Sequence, residues 1–479
     1  MGGLRTACGF LPCPQGHLLN PGISVSGWLM KWRRRHAFNR RQFLAAGAAL
    51  GASVAVAQPT SPLPFLINMQ SDPLLPKSNG KRVVICGGGW GGITAAKHLK
   101  KLDPTLEVVV LERNPVFFSC PMSNKWLVDV VDTNFLTFSY LEVAQKYDYR
   151  FIQTEVTAFE RENKRVITAQ GWLDYDYLII GAGIRYNYEA WFGNDRKAAD
   201  YTKALFPAAY IPNAEHFRLK QSIQNFTGGD LVMTLPPPPH RCPPSPYERA
   251  CLIAGLFKER KIKGRITILD PKDSPRPITG GFQEAFENLY KDQITYVPKA
   301  VIKEVDPFNK KIKTAVGDFA FDHSILMAPH QAGDMAWKAG VIGKNAEGKP
   351  TGWAGVDPFF LNLKDDPDTY VIGDAVGVVS PLFNFYPKAG HVANAHARIV
   401  ARYIAERVKG REPKYALPDN LCFMMVNTQP REDVAVRFKY WVNDKGIIVQ
   451  DQDDDNLRRD DLVIEDFQWA GRMYEDMFG

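Results

Sequence analysis

The strand, glycine turn and helix written into residues 81–102 constrain this chain more than any other feature. Lys81-Arg82-Val83-Val84-Ile85-Cys86 is a short apolar run, followed at once by GGGWGG and then by ITAAKHLKKL, whose apolar residues recur at helical spacing. A second apolar run, Leu106 to Leu111, ends at Glu112 and completes a βαβ unit. Gly87, Gly89 and Gly92 fit G-x-G-x-x-G. The first glycine permits a tight turn, the second lets backbone N–H groups approach a pyrophosphate, and the third allows close helix packing. Glu112 ends the second strand, where a carboxylate can accept from ribose hydroxyls. A plain structural turn also uses glycine. Strand, helix and acid all fall where dinucleotide binding needs them, and that is the expected role.

Two later segments select FAD over a nicotinamide. Tyr177-Leu178-Ile179-Ile180-Gly181-Ala182-Gly183 is a strand ending in a small-residue turn, and Thr369-Tyr370-Val371-Ile372-Gly373-Asp374-Ala375 is another, with a helix from about Ala389. In two-domain flavoprotein reductases the first marks the exit from the FAD domain. The second brings an Asp, here Asp374, to the ribityl or phosphate region. Between them a second Rossmann unit is expected, with strands at Asp230–Leu235 and Ile266–Leu269 and an acid at Asp270. Its turn, however, reads PPPPHRCPPSP. Proline has no N–H with which to cradle a phosphate, so this unit is expected to keep the fold and to lack a nicotinamide site.

Residues 1–57 carry Arg5, Lys31, Arg33, Arg34, Arg35, Arg40 and Arg41 and no acid; AAGAALGASVAVA then ends in an A-x-A site before Gln58. This resembles a twin-arginine export signal and implies a periplasmic protein. A membrane anchor is the alternative, but the run is shorter than the ~20 apolar residues of a span. The whole chain has a formal charge of +7, all of it contributed by this leader. The remainder is balanced, which gives no support for nucleic-acid binding. Residues 58–80, with five prolines, read as a linker. The acidic run Asp451–Asp455 reads as a solvated loop.

The segments CGGGWGGITAAKHLKKLDP, FFSCPMSN, HRCPPSPYERA, YVIGDA and PKAGHVA, spread from Lys81 onward, resemble the flavoprotein subunit of flavocytochrome c sulfide dehydrogenase, a relative of sulfide:quinone oxidoreductases. The resemblance implies a thioether from Cys120 to FAD, the alternative being a buried inert cysteine. It also implies a redox disulfide between Cys242 and Cys422. Cys242 precedes a helix starting near Pro246, where the helix dipole and Arg241 would favour thiolate. Phe423-Met424, after Cys422, depart from the family's polar pair. Glu248, in the matching Pro246-Tyr247-Glu248-Arg249, is either the proton acceptor near these cysteines or an acid that serves only the helix N-terminus. Lys388 is either a support for negative charge on reduced flavin or a solvated lysine. Cys86 and Cys251 are read as buried apolar residues.

The expected architecture is α/β: a linker at 58–80, an FAD domain split between 81–192 and 331–411, an NAD-like domain at 193–330, and a C-terminal α+β region at 412–479. The expected activity is oxidation of sulfide or a related small sulfur compound, with electrons passing through FAD to a c-type cytochrome subunit. The chain has no C-x-x-C-H of its own, so the haem would belong to that partner. Transfer to quinone, or resetting of a sulfur-carrier protein, are the alternatives. No metal site and no stable membrane span after leader removal are expected.

Overall fold

The computed structural model describes residues 72–479. The expected leader and cleavage site lie outside the described residues, as does most of the linker. Its end is held: Leu74 N donates to Trp172 O at 2.8 Å.

In chain order the elements that build the site are β1 (Arg82–Cys86), α1 (Trp90–Leu102), β2 (Glu107–Glu112), α2 (Ser123–Leu127), β3 (Arg150–Gln153) and β4 (Tyr177–Ile180). They are followed by β5 (Gly229–Thr234), α3 (Ser245–Glu259), β6 (Gly264–Leu269), β7 (Ile294–Val297) and β8 (His323–Leu326). The chain ends with β9 (Thr369–Val371), α4 (Gly390–Val408), β10 (Asn420–Thr428), β11 (Arg431–Val442), β12 (Ile448–Arg459) and α5 (Asp461–Phe478).

β4 and, after Arg82, β1 are apolar, and both are buried at every position, as expected of parallel strands covered on both faces. The first sheet has the order β9-β4-β1-β2-β3, all parallel. Its edge strand β9 comes from far down the chain, after the strands of the second sheet. α1 crosses between β1 and β2 and buries Ile93 and Leu99 completely. Each of those side chains contributes about 2 kcal/mol. α1 also lies against α4: a Cβ at Gly91 would sit 2.8 Å from Ile372 Cδ1 and 3.2 Å from Ala393 O.

The inserted sheet, β7-β6-β5-β8, is likewise parallel. The third, β10-β11-β12, is an antiparallel meander capped by α5. The chain is thus α/β, with two Rossmann-type sheets and an α+β end. Among the described residues no helix is long and apolar enough to cross a membrane.

The acidic run corrects the loop expected of it, because Asp451–Asp455 lies within β12. Register places Asp451 opposite Lys439 and Asp453 opposite Arg437, and opposite charges across a strand pair stabilise it. Asp454 also accepts Ile278 N at 2.9 Å, tying the meander to the inserted sheet. Tertiary pairing has overridden aspartate's poor strand propensity.

Candidate active site: a glycine cradle opening on a cysteine cavity

The glycine turn is built for close approach. Gly87 has φ +106°, and a Cβ on Gly92 would lie 1.9 Å from Gly87 O, so neither position admits a side chain without moving the backbone. A Cβ on Gly89, by contrast, would meet nothing within 4 Å. Gly89 caps α1 with no side-chain bond and no acid in the first turn. The helix therefore presents uncapped N–H groups and the positive end of its dipole to open space, as an anion site requires.

Glu112 accepts Gly88 N at 2.8 Å through one oxygen and both Asn114 nitrogens through the other. It is at once a brace for the turn and part of the cavity wall. Gly181 and Gly183 line the same cavity at the end of β4, and Gly373 and Asp374 line it after β9.

The cavity encloses about 550 Å³ and runs from this turn to Cys120, Cys242 and Cys422. An elongated space with a phosphate cradle at one end and sulfur at the other fits a dinucleotide flavin. Cys120, half-buried between β2 and α2, points its sulfur at Tyr210 O, 3.6 Å away. Burial pushes its thiol up, against the pull of Arg241 and Arg249.

Cys242 adopts φ +46° immediately before α3, its N–H donating to Lys388 O at 2.8 Å. The thiolate expected there is not favoured. Burial pushes this thiol well above its ordinary value, and the charges of Cys422, Glu248 and Cys120 push the same way. Arg241 offers no help, since its guanidinium is committed to Asp374 Oδ2 and Tyr210 O, both at 2.5 Å. Cys422, on β10, takes an N–H from Asn420 Nδ2 at 3.3 Å and is pushed by burial to about 12. Both sulfurs are free thiols in this structure and share the cavity. Cys86 and Cys251 are wholly buried, on β1 and α3.

Lys388 is not solvated. It is 4% exposed, donates to Val376 O at 2.8 Å and lies 3.9 Å from the centre of the Trp353 ring. Burial lowers its pKa to about 7, against an upward pull from Asp374.

Glu248 proves to be more than a helix-end acid. Its Oε1 accepts Lys125 Nζ at 2.7 Å and Met425 N at 3.1 Å, and its Oε2 accepts Asn124 Nδ2 at 2.7 Å. Lys125 Nζ also reaches Asp466 Oδ2 at 3.0 Å. Lys125, Asp466 and the neighbouring Asp433 are buried and were missed in the sequence. A signal for one of them was there: Asp466 interrupts the buried stripe Val463, Ala470, Met473, Tyr474, Met477 at helical spacing.

In the inserted domain, Asp270 is used up internally, accepting from Tyr247 Oη at 2.5 Å, Tyr296 Oη at 2.9 Å and Lys272 N at 2.9 Å. It has little capacity left for a ribose.

Fold and site together define a two-dinucleotide-domain flavoprotein with three cysteines lining its cavity. Comparison with known proteins narrows this. Residues 81–222 match the pyridine nucleotide-disulphide oxidoreductase family, and residues 217–326 match the central region of the sulfide dehydrogenase [flavocytochrome c] flavoprotein chain. The flavoprotein chain of sulfide dehydrogenase from Chlorobaculum thiosulfatiphilum is 52% identical over 44 residues, 9% of this chain and 92% of that one. The sulfide-quinone reductase of Aquifex aeolicus is 22% identical over 357 residues, 70% of this chain and 79% of that one. Among solved structures, the sulfide:quinone oxidoreductase of Aquifex aeolicus superposes with a TM-score of 0.63 at 16% identity, covering 83% of this chain and 91% of that one. The NAD-dependent persulfide reductase of A. fulgidus gives 0.57 at 17% identity, covering 76% and 65%. The chain belongs to the family of FAD-dependent oxidoreductases formed by flavocytochrome c sulfide dehydrogenase flavoproteins and their sulfide:quinone oxidoreductase relatives.

Proposed function

We propose that the protein oxidises sulfide, or a small compound carrying a terminal thiol, through Cys242 and Cys422 and delivers the electrons through FAD to a c-type cytochrome subunit. The supporting observation is that Cys242, Cys422 and Glu248 open on one cavity with the glycine cradle. In the oxidised protein the two cysteines form a disulfide. The sulfur donor attacks one sulfur, a new S–S bond forms, the Cys–Cys bond breaks, and its electron pair leaves on the other sulfur. Glu248 takes the donor's proton. Held by three hydrogen bonds in a buried site, its carboxylate is fixed in place before the donor arrives.

Bound FAD supplies a two-electron acceptor that can release electrons singly. Gly87, Gly89 and Gly92 would hold its pyrophosphate, Glu112 its ribose, and Gly181, Gly183, Gly373 and Asp374 the middle of the molecule. Cys120 would be its covalent anchor. Lys388, buried with a pKa lowered to about 7, would supply a positive charge beside it. The leader supports export to the periplasm, where a disulfide persists. Transfer to quinone is a second reading, favoured by the likeness to the Aquifex aeolicus quinone reductase over most of both chains.

Anaerobic addition of sulfide to the purified flavoprotein tests this reading, followed by oxidised cytochrome c or a soluble quinone. Sulfide bleaches the flavin and cytochrome c restores it; failure to bleach excludes the activity, and restoration by quinone alone selects the second reading. Acid precipitation should leave the flavin in the pellet, and its complete release would remove the Cys120 bond from the account.

A further inference from the structure

The buried charges behind Glu248 have no role in the chemistry above. Lys125, on α2, bridges Glu248 on α3 and Asp466 on α5, and each of the three side chains is less than a tenth exposed. Asp433, on β11, is fully buried, and neither of its oxygens has a hydrogen-bond donor. A carboxylate buried with no donor is among the most costly groups a fold can contain. The cost disappears where two carboxyls meet and share a proton, because one then donates to the other.

The charges around Asp433 fit that arrangement. Burial raises it well above the ordinary range, Lys125 pulls it down, and the charges of Asp466 and Glu248 raise it further. Asp466 is raised by burial and held back by Lys125. The polar groups nearest Glu248 are committed. Asn124 binds Glu248, Arg249 binds Asn124 and the carbonyls of Ala208 and Ala209, and Met425 donates its N–H to Glu248. Cys242 and Cys422 both sense the charge of Glu248. Lys125, Glu248 and Asp466 line the cavity, whereas Asp433 is fully buried outside its lining.

We propose that Asp433 and Asp466 hold one proton between them and, through Lys125, are the final acceptor for the proton that the sulfur donor loses at Glu248. This rests on the sulfur-oxidising reading of the site. The donor's S–H bond breaks and its proton goes to Glu248 as its sulfur bonds to a cysteine. Glu248 passes a proton to Lys125 as Lys125 passes one to Asp466. Lys125 ends as it began, the acid pair goes from singly to doubly protonated, and the electron pair from the broken disulfide goes on to the flavin. Asp433 and Lys125 are positioning residues, acting through Glu248.

Infrared difference spectroscopy and rapid kinetics on the holoprotein test this with Asp433→Asn and Asp466→Asn. At neutral pH the wild type should show a protonated-carboxyl C=O band that is absent from Asp433→Asn and grows when sulfide reduces the flavin. In Asp433→Asn the lone Asp466, paired with Lys125, is a poorer base. Flavin reduction by sulfide should therefore slow on the order of tenfold at and below neutral pH and recover at alkaline pH, where the donor arrives already ionised. A wild-type spectrum without the band overturns the proposal even if every variant misfolds. So does a variant slowed equally at all pH values, or not at all, since only structural damage or no role predicts that. If sulfide fails to reduce the wild-type flavin, the functional reading falls. The resting band then still decides whether the acid pair holds its proton.

Discussion

Single residues in the glycine turn separate binding from folding. A methyl group at Gly92 has to enter the carbonyl of Gly87, whereas one at Gly89 enters empty space at the start of α1, the place proposed for a pyrophosphate. Gly92→Ala is expected to cost upwards of ~3 kcal/mol and to lower the yield of folded protein. Gly89→Ala should fold normally but bind FAD tenfold or more weakly, as read by flavin content and thermal midpoint together; equal behaviour of the two would refute the division of roles. Lys388 makes a prediction about pH. Its folded pKa of about 7 lies below the ordinary 10.5, so between those values the unfolded chain binds more protons and stability rises with pH. The cost is fully present below pH 7 and is relieved toward pH 10.5. Lys388→Met should therefore be more stable than wild type at pH 7, by on the order of 4 kcal/mol, with the gap closing toward pH 10 in urea titrations at matched flavin content. At this scale the sequence was partly legible. Glycines, cysteines and Glu248 could be read because short motifs carry them. Asp466 left one trace, its place in the apolar stripe of α5, whereas Asp433 left none, because nothing local distinguishes a buried aspartate in a strand from a solvated one. The thiolate expected at Cys242 failed for a related reason: the direction of Arg241 is set by Asp374, more than a hundred residues away.

Among the elements, α5 has the most to lose on detachment, because it brings Asp466 and Trp469 to the cavity. It is fastened near its end by Asp476, which accepts His98 Nε2 at 2.9 Å and Asn394 Nδ2 at 2.8 Å. Burial alone would raise the Asp476 carboxyl, but these bonds outweigh it and hold it at about 2. A depressed carboxyl contributes stability above its unfolded pKa and loses it as pH falls through the folded value, so α5 should loosen between about pH 4 and pH 2. Asp476→Asn should bring that loosening to neutral pH, seen as faster amide hydrogen exchange over 461–478 with β1 and β2 unchanged; uniform exchange across the chain would contradict it. The βαβ unit and the strands at Tyr177, Leu231 and Ile266 were readable from apolar runs, whereas β12 was not. A strand of aspartates reads as a loop until its partners Lys439 and Arg437 and the N–H of Ile278 are in place.

Across the whole molecule, the split FAD sheet was legible because Gly181 and Gly373 end strands that no single local domain can use. The pairing of β9 with β4 bears this out. The meeting of Cys242 and Cys422 in one cavity was implied by family resemblance alone and was not legible from local pattern: 180 residues separate them, and the docking of the meander against α3 brings both to it. The central claim is that electrons enter through this cysteine pair and not through a nicotinamide. Stopped-flow flavin reduction with wild type, Cys242→Ser and Cys422→Ser tests it most directly, using sulfide and NADH as donors and photoreduction as a control. Sulfide is expected to bleach the wild-type flavin rapidly and to lose at least a hundredfold in rate with either serine variant. Photoreduction should be unchanged in all three proteins and NADH without effect. Rapid bleaching by NADH, or undiminished reduction by sulfide in both variants, would contradict the account.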